Sequence, residues 1–233
     1  MNEILRGSAI LPPERADTSA LKVKKEYATR LLIVRHGESA ANAVRVCLGH
    51  TNLGLSPRGE AQARATAELL RDEPISAIYS SDLIRAYNTA LPNAELHGLE
   101  VIPQRTLREL YIGEWENMKI DDIITKYGEE YTVGWKTQFG TFTPPGGEAI
   151  KDAGERFYNA VLEIARRHEG ECVLITAHAA VIRAFYSIVA GIPWERVAEL
   201  TDFPYNASVT TVYYDGSTLL SGEYSHSAHL SGL

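Results

Sequence analysis

Cysteine and long apolar runs are what this sequence has least of. Two cysteines among 233 residues, Cys47 in an expected loop and Cys172 inside an apolar stretch, supply neither a disulfide framework nor a cysteine-based metal site. No stretch approaches the roughly 20 consecutive apolar residues of a membrane-spanning helix. Met1–Arg30 has neither the basic start nor the continuous apolar run of a secretory signal. A soluble, cytoplasmic protein that does not bind membranes is therefore expected. Positive charge is also scarce: 23 Lys and Arg stand against 30 Asp and Glu, a formal net charge of -7. Such a field repels nucleic acid, although a local basic pocket for phosphate remains compatible with it. The seven histidines show no His-Glu-x-x-His or similar spacing, so no metal site is read. Internal repeats and low-complexity tracts are absent.

What is present is 45% hydrophobic residues in a length that suits one domain. Residues 1–30, with Pro12-Pro13 and mixed charges, read as an arm ahead of that domain, which runs over 31–233. Leu31-Leu32-Ile33-Val34 is wholly apolar, as in a parallel strand covered on both faces, and it ends at Arg35-His36-Gly37. Ser56-Pro57 opens a helix to about Asp72. Ala77-Ile78-Tyr79 is a strand, followed by a helix capped by Ser81 and running through Ala90, then a weaker strand near Val101-Ile102. Two short helices are expected around Ile120–Tyr127 and Glu130–Gln138, within an insertion over about 117–146. A long helix follows Gly146-Gly147 and reaches about His168. Cys172–Thr176 is another buried strand ending at Ala177-His178, and Ala179–Ala190 is the next helix. Val209–Tyr214 and Leu219–Tyr224 flank Asp215-Gly216, a hairpin signal that adds an antiparallel edge. The alternation predicts an α/β fold, a three-layer α/β/α sandwich with a mainly parallel sheet and a small helical insertion over the active site. Ligands of such sheets sit beyond the carboxyl ends of the strands, where Arg35-His36 and His178 both fall.

The segment Val34-Arg35-His36-Gly37-Glu38-Ser39-Ala40-Ala41-Asn42 resembles the signature of the histidine phosphatase (phosphoglycerate mutase-like) superfamily. Its companions appear in family order: Gly49-His50-Thr51; Ser80-Ser81-Asp82-Leu83 with Arg85-Ala86; Leu107-Arg108-Glu109 with Gly113 and Trp115-Glu116; Gly146-Gly147-Glu148; and Ala177-His178 with Val181-Ile182-Arg183. The resemblance covers Leu31 to about Tyr214. It implies phosphoryl transfer through a phosphohistidine: His36 as nucleophile, Glu109 as general acid and then base, and His178 as a protonated or donating imidazole on the phosphoryl oxygens. Arg35 and Arg85 are the implied phosphate clamps, with Gly37, Asn42, Thr51 and Ala179 as further phosphate or substrate contacts.

Those residue types suit the task. Planar guanidinium groups match paired phosphate oxygens, and a neutral imidazole attacks near pH 7 without prior deprotonation. No cofactor is required. The remaining histidines, His50, His97, His168, His226 and His229, are read as ordinary hydrogen-bonding residues. Asn88 stands for the family's usual Gln, Asn117 for Gly after Glu116, and Ala179-Ala180 for Gly-Gly after His178.

The expected activity is a phosphomonoesterase of the histidine acid-phosphatase type, acting on a small phosphorylated metabolite such as a sugar phosphate or phosphoglycerate. A cofactor-dependent phosphoglycerate mutase is the alternative. It is disfavoured because Lys136-Thr137 stands where mutases carry an Arg pair, and because the lid before Gly146 is short. A noncatalytic phosphate-binding protein ranks last, since no expected catalytic group is missing. Lys119, Lys136 and Arg45 are candidates for a second anionic group of the substrate, and a homodimer is compatible with all of this.

Overall fold

The computed structural model describes residues 29–233. The expected arm, apart from its last two residues, lies outside them. Thr29 and Arg30 already belong to the first strand, β1 (Thr29–Arg35), so that strand takes in the last two residues assigned to the arm. Polar residues open this strand because they are bonded: Thr29 is buried and its Oγ1 accepts the Gly170 N–H at 3.0 Å, while Arg30 pairs with Glu73.

Six strands form one sheet in the order β3-β2-β4-β1-β5-β6. β2 (Ile75–Ser81), β3 (Val101–Gln104) and β4 (Cys172–Ala177) run parallel to β1. β5 (Val209–Tyr214) and β6 (Leu219–Ser221) close one side antiparallel, so the antiparallel portion comprises two strands, the second shorter than expected. Pro103 sits in β3, the outermost parallel strand, where a missing N–H costs the ladder least.

The buried strands alternate between two cores. Leu31, Ile33, Val173 and Ile175 face the helices α5 (Ile150–Arg167) and α6 (Ala179–Val189). Leu32, Val34, Cys172 and Leu174 face the other side, with Leu70 at the end of α2 (Pro57–Leu69) and Ala90 and Ala94 of α3 (Ile84–His97). Burial on both faces is why these strands read as continuous apolar runs. The result is the expected three-layer sandwich.

Two local expectations change. Ser81 does not cap α3: the cap position is Leu83, with no side-chain bond. The helix also passes Ala90 and Pro92 to reach His97, stopping at Gly98 in the left-handed conformation (φ 63°). Beyond α1 (Ala40–Ala43) and the long loop, α4 covers Ile120–Thr137 as two helical stretches that meet at the non-helical Gly128 (φ 77°, ψ 175°), as the two expected short helices required. A final turn, α7 (Val197–Leu200), precedes β5. Among the described residues no helix is long and apolar enough to cross a membrane.

Register places the site. β1 pairs with β4 so that Arg35 lies opposite Ala177, and the His36 N–H donates to the Ala177 carbonyl at 2.9 Å. β2 pairs with β4 at Ser80 and Thr176. The residues that follow, His36, Ser81 and His178, therefore emerge together at the carboxyl end of three adjacent strands.

Candidate active site

His36 and His178 stand edge to face, their ring centroids 5.2 Å apart, and both are buried. His36 Nδ1 lies 2.7 Å from the Gly37 carbonyl. A carbonyl only accepts, so Nδ1 carries the proton and Nε2 keeps its lone pair. Burial, then the Arg85 and Arg35 charges, push the His36 pKa well below 6.5. His178 is pushed well below 6.5 by burial, then by Arg85, His36, His50 and Arg35. Of the two forms expected for it, protonated or simply donating, burial favours the neutral, donating one.

Two guanidiniums flank the pair. Arg35 donates from Nη1 to the Pro204 carbonyl at 2.5 Å, while its buried Nε finds no partner among the described residues. Arg85, only 2% exposed, donates to the carbonyls of Thr51 at 2.9 Å and Gly49 at 2.8 Å. Burial lowers both arginines to about 10, so both keep their charge at neutral pH.

The loop that holds Arg85 is itself held by Glu116, which sequence reasoning left without a role. Glu116 Oε1 accepts the His50 N–H at 2.6 Å, and Oε2 accepts the Thr51 hydroxyl at 2.9 Å. Asn117 Nδ2 also donates to Thr51 Oγ1, at 3.0 Å. The Thr51 side chain is thus spent on loop structure, and its carbonyl, through Arg85, is its link to the site. A Cβ at Gly49 would come within 2.5 Å of Glu116 Oε1, which accounts for glycine there. Asn117 has φ 63°, a region glycine favours and Asn tolerates, so its replacement of the usual Gly leaves the turn intact.

Two of the expected phosphate contacts, Gly37 and Asn42, also have protein partners. The Gly37 N–H donates to Thr89 Oγ1 at 3.0 Å, and a Cβ on Gly37 would sit 2.4 Å from the Gly59 carbonyl oxygen. Glycine is required there for the start of helix α2 to approach. Of the amides after the motif, those of Ser39 and Asn42 are taken by a capping box between these two residues, that of Glu38 by Gln62 Oε1 and that of Ala40 by the Gly54 carbonyl. Asn42 Oδ1 accepts the Ser39 N–H at 3.0 Å, which leaves the Asn42 NH2 as its available donor. Asn206, 170 positions from His36, donates to the His36 carbonyl at 3.0 Å. No local sequence signal points to that contact.

Glu109 does not pair with Arg108, whose guanidinium takes both oxygens of Asp82 at 2.6 and 2.7 Å. Its carboxylate instead accepts the Leu110 N–H at 2.9 Å and two first-turn amides of α6, Val181 at 3.2 Å and Ala180 at 3.3 Å. A carboxylate suits a helix N-terminus. Ala179 opens that helix directly after His178.

On the backbone side of Glu109 lies a cleft of about 460 Å³ lined by His50, Arg105, Arg108, Tyr111, Glu148 and Arg156. His50 Nε2–H donates to the Glu109 carbonyl at 2.8 Å, and Arg156 joins Glu148 at 2.8 Å. Lys119, Lys136 and Arg45, the candidates for a second anionic group, do not line this cleft, and Arg45 lies 3.6 Å from Asp121; Arg105 and Arg108, just ahead of Glu109, do line it.

A strand-end histidine pair flanked by the buried Arg85 and the partly buried Arg35, on a mainly parallel three-layer sheet, defines a phosphate-handling α/β protein. The chain belongs to the histidine phosphatase superfamily (branch 1), whose sequence model matches residues 31–222. It is similar to phosphoserine phosphatase 1 of Hydrogenobacter thermophilus, with 34% identity over 163 residues, 70% of this chain and 77% of that protein. The metal-independent phosphoserine phosphatase of Arabidopsis thaliana is 33% identical over 215 residues, 91% of this chain and 87% of its own. Phosphoglycerate mutases are also among the similar proteins. In structure, the mycobacterial glucosyl-3-phosphoglycerate phosphatase solved with vanadate superposes with a TM-score of 0.76 at 29% identity, covering 86% of this chain and all of that one.

Proposed function

We propose that this protein is a phosphomonoesterase that hydrolyses a small phosphorylated metabolite through phosphohistidine at His36. The observation that carries the proposal is the His36 ring, held by Gly37 with Nε2 unprotonated and buried between Arg35 and Arg85. Nε2 attacks phosphorus, forming an N–P bond as the P–O bond to the alcohol breaks. Arg35, Arg85, the Asn42 amide and His178 hold the phosphoryl oxygens. Glu109 protonates the leaving oxygen, then takes a proton from the water that cleaves the N–P bond and restores the Nε2 lone pair. To act as acid, the Glu109 carboxyl must bring a proton into the first step and release one of its backbone amides. The leaving alcohol occupies the cleft beside Glu109. The two unpaired thiols, Cys47 and Cys172, suit a reducing compartment and support a cytoplasmic setting.

The test is phosphate release from a panel of phosphomonoesters that includes phosphoserine, 3-phosphoglycerate and a sugar phosphate, with mass detection of the enzyme under non-acidic quench. Release with a transient gain of one phosphoryl group supports the proposal. Conversion of 3-phosphoglycerate to its 2-isomer by a persistent phosphoenzyme replaces it with a mutase.

The depressed His36 pKa has a pH consequence. Protonation of Nε2 removes the nucleophile, so kcat/KM, corrected for the ester's own second ionisation, is expected to stay flat down through pH 6.5 and to fall only below it. A limb centred at or above 6.5 contradicts this. The same shift bears on stability. Below pH 6.5 an unfolded chain protonates His36 and His178 while the folded chain leaves them neutral. The unfolded state then binds more protons, and stability drops as pH falls through this window.

A further inference from the structure

Ser81 ends β2 and is fully buried, and the mechanism above makes no use of it. Its Oγ lies 2.8 Å from His178 Nε2 and accepts the Leu83 N–H at 3.3 Å. The Ser81–His178 bond can run in either direction, and the direction decides the histidine tautomer. If Nε2–H donated, the Ser81 hydroxyl proton would need another acceptor, and its remaining bond is the Leu83 N–H, itself a donor. A buried hydroxyl proton would then be stranded, which native interiors avoid. If Ser81 donates to Nε2, its hydroxyl is satisfied both as donor and as acceptor, and the ring proton resides on Nδ1. Nδ1 is the atom of His178 that is buried without a partner among the described residues, in the ring that faces His36.

We propose that Ser81 is a positioning residue that fixes His178 as the Nδ1–H tautomer, so that the orphaned buried N–H serves as a neutral donor to a phosphoryl oxygen. The proposal rests on the phosphohistidine mechanism above for the identity of that acceptor. The anchors of the two histidines are complementary. At His36 a carbonyl, which can only accept, leaves the nucleophilic Nε2 lone pair facing the site. At His178 a hydroxyl that donates leaves a proton facing it. One ring presents an electron pair and its neighbour a hydrogen-bond donor, and neither arrangement requires a charged imidazole.

Histidine ¹⁵N spectra of the full chain, with the His178 signals assigned through His178→Asn, test this directly. In the wild type His178 is expected to show a protonated Nδ1 and an unprotonated Nε2. Ser81→Ala is expected to move it toward Nε2–H and to lower kcat about 10- to 100-fold, less than removal of a direct oxyanion donor, with KM little changed. Ser81→Thr, which keeps the hydroxyl, is expected to restore the tautomer and most of kcat. A wild-type His178 protonated on Nε2 overturns the proposal whatever the variants do, as does a folded Ser81→Ala enzyme with undiminished kcat. Failure of the wild type to release phosphate from any ester would count against the phosphatase mechanism instead, and the spectrum would still decide the tautomer.

Discussion

Replacing His36 with alanine is expected to lower phosphate release by more than about 10³-fold, a larger loss than that of a single charge-stabilising donor, and to remove the phosphoryl group gained by the enzyme in mid-turnover. The expectation follows from atom placement. Among the described residues Nδ1 of His36 has a protein partner and Nε2 has none, and alanine supplies no substitute electron pair. The variant also strands the Gly37 carbonyl, and a buried unpaired acceptor costs about 1–3 kcal/mol. A modest fall in melting temperature is therefore expected and has to be separated from the catalytic loss by checking that the variant is folded at the assay temperature. Substrate binding should survive in part, because Arg35, Arg85 and Asn42 remain. Turnover by a folded His36→Ala protein within about tenfold of wild type would mean that phosphorus is attacked by something else.

The second large effect is expected at Arg85. Its guanidinium spans the carbonyls of Gly49 and Thr51 while being buried with its charge intact. Arg85→Ala removes the proposed phosphate clamp and leaves both loop carbonyls without this donor. A fall in kcat of about 10²- to 10³-fold is expected, together with a measurable loss of stability. Arg85→Lys separates the two. A lysine keeps the charge but offers a compact point charge without the rigid fork that bridges two carbonyls and still faces phosphate. It is expected to recover stability better than it recovers kcat. Equal recovery of both would reduce Arg85 to a loop anchor. Steady-state kinetics beside thermal melts decide between these.

Much of the site was legible because its chemistry is local in sequence. The Arg35-His36-Gly37 segment and the Ala177-His178 pair each end a run apolar enough to be buried on both faces, and the carboxyl ends of such strands share one edge of the sheet. The contacts that make these residues a working site were not legible. Glu116 reaches back to His50 and Thr51, and Asn206 reaches the His36 carbonyl. Ser81, which reads as a helix cap, spends its hydroxyl on a histidine 97 positions away. Gly37 has the residue type expected for phosphate approach, yet its constraint is the backbone of Gly59.

By itself the sequence determined the elements, the layer order and the identity of the chemical groups. Hydrophobic periodicity and turn chemistry act between neighbours along the chain, and a motif preserves residue types at fixed spacing. Only the tertiary structure decided which ring nitrogen carries a proton, which donors remain free, and which carboxylate faces a helix rather than an arginine. Those depend on hydrogen-bond partners supplied from distant segments, and on a burial that shifts both histidines toward their neutral forms. Neither exists until the sheet has brought the strand ends together.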